Sequence, residues 1–327
     1  MDNLYPKGHE NAPSKKIELV KRNTSEIVGE DKIKDFMKKG VAYCGYECSG
    51  EIHLGHLVTI IKLLDLQKAG IKVKVLLADW HTWLNQKGDW DFVNKQLKQW
   101  EKGMKAIGLK ADFVKGTSYQ MKPGYMDDVL RMALKTTINR GVRAMQQVGR
   151  DIDNAKISQM IYPLMQIEDV KSLGTNFVVA GTDQRKIYML GKEIGKEVKI
   201  PEAVYLYTPI IPGLKGPGVK MSSSFQGSFI SIRDSKSDIV KKINKAYCRV
   251  GDIENNPVLA IARLIVFPTS DKVKISRGKE YGGDVLFESY EKLEKEFESE
   301  KLHPSDLKKT IAEYLDKIIS PIRKSWK

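Results

Sequence analysis

Short apolar runs rich in β-branched and aromatic residues alternate with helical stretches over the first two thirds of this chain. That alternation narrows the fold more than any other feature. Val41-Ala42-Tyr43-Cys44-Gly45-Tyr46, Val73 to Ala78, Phe113-Val114, Phe177 to Ala180 and Val204-Tyr205-Leu206 each read as a strand. Between them the pattern predicts helices from Leu57 to Lys68 (Val58, Ile61, Leu64 and Leu66 in periodic register, ended by Gly70), from about Trp90 to Ile107, and from near Gln184. Strands alternating with helices imply an α/β fold, a Rossmann-like, doubly wound parallel sheet.

The 327 residues, 41% of them hydrophobic, suffice for two domains with a substantial core. Met126 to Ile161, between the two halves of the sheet, reads as helical and carries Arg131, Arg140, Arg143 and Arg150. After Arg233 the pattern changes to charged helices such as Ile239 to Tyr247 and Leu307 to Lys324. The expected organisation is a Rossmann-like domain over 1–232, with a helical insertion at about 120–160, and a helical domain over 233–327.

No run of eighteen apolar residues exists to span a membrane, and the first residues, Met1 to Lys7, show no apolar signal region. Cys44, Cys48 and Cys248 are too few for a disulfide framework or a four-cysteine zinc site, so a reducing, cytoplasmic home is expected. The net charge of +14 suggests a polyanionic partner such as nucleic acid, although many soluble proteins are simply basic.

Two short motifs carry the chemistry. His53-Leu54-Gly55-His56 falls between the first strand and the first long helix, where a helix N-terminus favours phosphate. Gly55 lets a flat group approach the backbone, and two histidines three residues apart share one helix face, where both can donate to phosphate oxygens. A zinc reading of the pair would need further ligands nearby. Lys220-Met221-Ser222-Ser223-Ser224 lies in a Gly/Ser-rich loop, and a lysine beside a row of donors suits β- and γ-phosphates. Alone it would be a solvated turn. As a pair, the motifs point to activation of a carboxylate by ATP.

These motifs resemble the HIGH and KMSKS signatures of class I aminoacyl-tRNA synthetases, and the chain resembles archaeal and eukaryotic-type tyrosyl-tRNA synthetases over nearly its whole length. The resemblance is carried by Gly45-Tyr46-Glu47, Ser49 to His56, Leu77-Ala78-Asp79-Trp80-His81, Tyr162-Pro163-Leu164-Met165-Gln166, Gly181 to Ile187 and Lys220 to Ser224. It implies a two-step reaction. The tyrosine carboxylate attacks the α-phosphate of ATP bound with Mg2+, pyrophosphate leaves, and the tyrosyl group then passes from its adenylate to the 3'-terminal adenosine of tRNA(Tyr).

The resemblance also implies residue roles. Tyr43 and Asp169 would hold the substrate phenol; Tyr162, Gln166 and Gln184 its α-amino group; His81 and Gln120 the pocket wall. Gly45, Gly55, Gly181, Asp183, His53, His56 and Lys220 would bind ATP, with Asp183 on the ribose. His53, His56, Lys220, Ser222, Ser223 and Ser224 would be catalytic, with no resident metal. Arg143 and Arg185 would meet the tRNA acceptor end, Tyr281 and Asp306 the anticodon, and the insertion would form a homodimer interface. A site built to pair a hydroxyl rejects the analogue lacking it by roughly 10⁴- to 10⁵-fold, and tyrosine-activating enzymes are themselves the standard example of that rule.

Each residue also has a plainer reading. Tyr43 could be an ordinary core tyrosine, Tyr281 could pack among the C-terminal helices, and Asp306 could cap the helix near Leu307. Tyr162, Gln166 and Asp169, however, place three polar groups on one face of an otherwise apolar helix, which is costly unless they bind something. Three departures from the family pattern stand out: Cys48 in place of a usual proline, which predicts a looser loop; Phe225-Gln226-Gly227-Ser228 without a basic residue; and Trp80, Thr82 and Trp83 around His81. The competing readings are a tryptophanyl enzyme, which has no phenol to pair with Tyr43 and Asp169; a non-catalytic RNA-binding relative; and a small-molecule nucleotidyltransferase.

Overall fold

A computed structural model describes residues 13–149, 151–218, 220–222, 227–270 and 272–326. Six strands form the main sheet: β1 (Glu26–Val28), β2 (Val41–Tyr46), β3 (Lys72–Leu77), β4 (Asp112–Lys115), β5 (Phe177–Gly181) and β6 (Val204–Thr208). Their order is β1-β6-β5-β2-β3-β4, and every pairing is parallel except β1 with β6. The five predicted strands are therefore present, joined by an antiparallel edge strand too short to show periodicity. From β2 the chain winds outward through β3 and β4, then returns to β5 on the other side. β2 and β5 flank the point where winding reverses, and ligands of such sheets bind outside the carboxyl ends of the strands there.

The helix Leu54–Lys68 packs on one face and is buried almost all round, which fits its continuous apolar run. Asp89 caps the helix Trp90–Ile107 by accepting from the Phe92 amide, and Gly108 (φ 101°) ends it. Between β4 and β5 the predicted helical stretch is three helices, Pro123–Ala133, Ile138–Met145 and Ile157–Ser172, joined by turns.

Beyond Arg233 the helices Lys236–Lys245, Tyr290–Glu298 and Pro304–Ser325 surround a small antiparallel hairpin of β7 (Val273–Ile275) and β8 (Val285–Phe287). One continuous apolar cluster joins these helices to the sheet layer, from Leu57 and Trp100 through Ile239 to Ile319. The junction is close at Gly103, where a Cβ would come within 2.2 Å of the Trp326 ring. Trp326 Nε1 also donates to Gln99 Oε1 at 3.2 Å. No described helix is long and apolar enough to cross a membrane.

Candidate active site

A cleft of about 270 Å3 opens at the carboxyl ends of β2 and β5. β2 contributes Tyr43 and Gly45, the 3₁₀ turn Thr182–Gln184 after β5 contributes Asp183 and Gln184, and the helix Ile157–Ser172 contributes Tyr162, Gln166 and Asp169. His53, Gly55, His56, His81, Gly181, Lys220 and Ser222 also line it. The two motifs thus meet although 163 residues separate the last histidine from the first serine-loop residue (219 minus 56). Ser223 and Ser224, and the departures Phe225 and Gln226, lie outside the described residues.

The motif histidines have a structural role that their spacing did not reveal. His53 is the N-cap of the helix Leu54–Lys68; its Nδ1 accepts from the Gly55 amide at 3.1 Å, and His56 Nδ1 accepts from the His53 amide at 3.3 Å. The Leu54 amide donates to the Ile230 carbonyl at 3.0 Å. The first amides of this helix are therefore paired within the protein, contrary to the expectation of free N–H groups for phosphate. Because each Nδ1 accepts, each neutral ring carries its proton on Nε2. Burial holds both rings neutral, pushing His53 down to about 4 and His56 well below the ordinary range. The rings pack against each other at a tilt of 33° with centroids 3.8 Å apart, and a Cβ at Gly55 would stand 2.9 Å from the His53 ring. Gly55 is thus required by the capping imidazole.

Lys220 Nζ bonds the Asp183 carboxylate at 3.1 Å and the Gln147 carbonyl at 3.2 Å. Its loop is tied down on both sides: Lys220 bridges Pro212, and Ser231 bridges His53. Ser228 Oγ donates to the Ser222 carbonyl at 2.9 Å. Gly181 precedes Asp183 so closely that a Cβ there would meet Asp183 Oδ1 at 2.6 Å.

At the inner end of the cleft Tyr43 and Asp169 are fully buried. Tyr188 OH donates to Tyr43 OH at 3.3 Å, which leaves the Tyr43 proton free to donate. Asp169 Oδ1 accepts from Tyr119 OH, Gln120 Nε2 and Tyr125 OH at 2.7, 2.8 and 2.8 Å. Asp169 Oδ2 and His81 Nε2 have no hydrogen-bond partner and stand 3.8 Å apart. Burial pushes the Asp169 carboxyl up to about 7 and His81 down to about 4, so His81 is a neutral group here. The Gln166 amide donates to Gln184 Oε1 at 3.2 Å and leaves its own oxygen unpartnered.

Gln120 differs from its expected place: it is fully buried and stands behind Asp169 without lining the cleft. Tyr119, Tyr125 and Tyr188 were not read from the sequence, nor were Glu47 and Lys87 as cleft residues. Glu47 accepts from Asn85 at 2.8 Å and, pushed up by burial, faces Lys87, Tyr162 and Lys220.

Two of the sequence departures meet. The Cys48 amide donates to Thr82 Oγ1 at 3.2 Å, and the Thr82 hydroxyl donates to the Ala78 carbonyl at 2.7 Å. A proline at 48 would lack that donor, so the segment is tethered by hydrogen bonds and is not the loose loop expected. Trp80 packs edge-on against Trp83 and Trp90, with centroids 5.7 and 4.9 Å apart.

Away from the cleft, Arg143 is exposed, and Arg185 forms a two-pronged pair with Glu26, Nη2 to Oε1 at 2.8 Å. Tyr281 is 69% exposed on a 3₁₀ turn followed by two positive-φ glycines, which overturns the reading of a core tyrosine. His303, not Asp306, caps the helix Pro304–Ser325, with Nδ1 accepting from the Ser305 amide at 3.2 Å. The capping reading of Asp306 is likewise removed.

Comparison with known proteins agrees with this geometry. The sequence profile of the tRNA synthetases class I (W and Y) matches residues 37–320. Tyrosine--tRNA ligases from Methanosarcina barkeri and Methanocaldococcus jannaschii are 43% and 44% identical over 315 and 312 residues, in each case 94% of this chain and 98% of the relative. The crystal structure of a tyrosyl-tRNA synthetase complexed with L-tyrosine from Archaeoglobus fulgidus superposes with a TM-score of 0.92 at 43% identity, covering 97% of this chain and all of that one. A tyrosyl-tRNA synthetase from Aeropyrum pernix gives 0.85 at 35% identity, over 96% of this chain and 94% of that one. The chain belongs to the class I tRNA synthetases of the tryptophan and tyrosine family.

Proposed function

We propose that this protein attaches L-tyrosine to tRNA(Tyr) in two ATP-dependent steps. The observation that carries the choice of amino acid is the pairing of Tyr43 with Asp169 at the closed end of the cleft. Tyr43 has a proton to give, and Asp169 Oδ2 is a buried acceptor with no protein partner. A phenol hydroxyl supplies both an acceptor and a donor; an indole N–H can donate to the carboxylate but gives the Tyr43 hydroxyl no acceptor, and a phenyl ring leaves both groups buried and unpaired.

In the first step the tyrosine carboxylate attacks the α-phosphate of Mg-ATP in line and pyrophosphate leaves. A carboxylate is already a nucleophile at neutral pH, so no general base is needed. Catalysis rests on positioning and on charge stabilisation. His53 and His56 would donate from Nε2 to phosphate oxygens. Lys220 would move from Asp183 to the β- and γ-phosphates, with Ser222, Ser223 and Ser224 adding donors and Asp183 released to the ribose. Tyr162, Gln166 and Gln184 would hold the α-amino group, while Gly45 and Gly181 admit the nucleotide. In the second step the terminal adenosine hydroxyl of the tRNA attacks the activated carbonyl.

Residues 1–232 would form the catalytic domain and 233–327 the anticodon-binding domain, with Tyr281 stacking on a base and Asp306 accepting from guanine. Arg143 and Arg185 would meet the acceptor end. The insertion would form a homodimer interface: Leu130, Leu134, Ile138 and Ile157 are 61 to 85% exposed there, more apolar surface than a monomer usually leaves in one segment. The workplace of such a reaction is the cytoplasm.

Amino-acid-dependent pyrophosphate exchange over the standard amino acids tests the reading. Tyrosine alone should support rapid exchange; exchange with tryptophan alone, or with none, would overturn it.

A further inference from the structure

Asp169 carries its hydrogen bonds unequally. Three donors converge on Oδ1, and Oδ2 has none. The three are not equivalent. Gln120 donates through Nε2 while its Oε1 has no partner, so turning the amide over would let it accept a proton carried on Oδ1. Tyr125 OH lies 2.8 Å from Asp169 Oδ1 and 2.8 Å from the Met165 carbonyl, with one proton for two acceptors. It can therefore serve either state of the acid: it donates to the carboxylate, or it donates to Met165 and accepts a proton carried on Oδ1. Tyr119 has Asp169 as the one acceptor of its proton among the described residues, at 2.7 Å. A proton on Oδ1 would leave the buried Tyr119 proton without an acceptor, and a proton on Oδ2 would weaken the bond that Tyr119 gives to Oδ1, so this bond favours the ionised acid.

We propose that Tyr119 is a positioning residue for amino-acid selection, whose hydroxyl keeps Asp169 ionised and turned so that Oδ2 accepts the proton of the substrate phenol. This rests on the reading of the cleft as a tyrosine site and adds to it a residue that does not line the cleft.

The surroundings give the carboxylate little other support. Asp79 and His81 face it from the helix Asp79–Leu84, Tyr43 from β2, Tyr188 from the helix Arg185–Ile194, and Glu168 from its own helix. Asp79 opposes a second negative charge, and burial keeps His81 neutral, so it supplies no counter-charge. Burial pushes Asp169 up to about 7, and the bond from Tyr119 is the largest of the influences that hold it down. A hydrogen bond from a neutral hydroxyl thus replaces an ion pair. That suits a site that must accept a neutral phenol without closing on itself.

The test is the pH profile of kcat/KM for tyrosine in pyrophosphate exchange, measured on the full chain, Tyr119→Phe and Tyr125→Phe. For Tyr119→Phe the acid limb should move up by about one pH unit, so that kcat/KM on that limb falls about tenfold, mainly through KM. Its preference for tyrosine over phenylalanine should fall as well, because a neutral Asp169 costs less to leave unpaired. Tyr125→Phe should move the limb less, since its hydroxyl has Met165 as an alternative acceptor. A Tyr119→Phe profile superimposable on the parent, or an equal or larger shift in Tyr125→Phe, overturns the inference. Absence of tyrosine-dependent exchange in the parent would instead remove the reading on which it rests.

Discussion

Lys220 Nζ stands 3.1 Å from the carboxylate of Asp183, so the cation expected to meet phosphate is held by the carboxylate expected to meet ribose. Both lie at the cleft, and Lys220 remains half exposed. An exposed pair of this kind is worth only about 0–1 kcal/mol, so a triphosphate can displace it at little cost. The pair parks the lysine beside the site. Lys220→Ala should lower the rate of adenylate formation about 100-fold while changing tyrosine affinity less than about twofold. Stopped-flow turnover with equilibrium tyrosine binding checks this. Equal losses in both would remove the assigned role.

The buried histidines set an acid limit on stability. His81 is neutral in the folded chain, its pKa pushed down to about 4 from 6.5 by burial. Once unfolded it takes up a proton below about pH 6.5. The unfolded state then binds more protons than the folded state, so this residue's contribution to stability is lost as pH falls from 6.5 towards 4. Asp169, pushed up to about 7, acts in the opposite direction between its ordinary 3.8 and 7, so the net slope of the parent mixes the two. The difference between parent and His81→Gln isolates the histidine. Denaturant melts at several pH values should show the variant losing less stability on acidification, by up to roughly 1.4 kcal/mol per pH unit.

The apolar face of the insertion should be an interface. Leu134 and Ile138 are 85% and 76% exposed. Replacing both with Asp leaves the buried core untouched and should convert a dimer to a monomer in sedimentation velocity. A parent that is itself monomeric at micromolar concentration would contradict the interface.

Tyr281 and Asp306 sit on the C-terminal part, away from the cleft-lining residues. Tyr281→Ala and Asp306→Ala should each raise the tRNA KM about tenfold, the scale of one lost base contact, with pyrophosphate exchange unchanged. A parallel loss of exchange would mean that these residues support the fold.

The sheet was legible because its parallel strands are buried on both faces and read as unbroken apolar runs; Val41 to Tyr46 and Phe177 to Gly181 show this most clearly. The three-residue strands Glu26–Val28, Val273–Ile275 and Val285–Phe287 were not, because so short a segment has no period to detect. The helix Asp79–Leu84 was hidden because six residues are too few to establish a period and the side chains it buries are the polar Asp79, His81 and Thr82. In the site, His53, Gly55, His56 and Lys220 announce themselves by spacing. Tyr119, Tyr125 and Tyr188 do not, because their roles arise only where separate elements converge on Asp169 and Tyr43. The capping bonds of His53 and His56 were equally invisible, since one motif serves two purposes.

The most direct test of the account is to identify the intermediate. The protein would be incubated with Mg-ATP, pyrophosphatase and an equimolar mixture of the twenty amino acids, desalted rapidly, and its bound small molecules read by mass spectrometry. Tyrosyl-adenylate as the dominant species is the predicted result. Tryptophanyl-adenylate, or no adenylate at all, would contradict it.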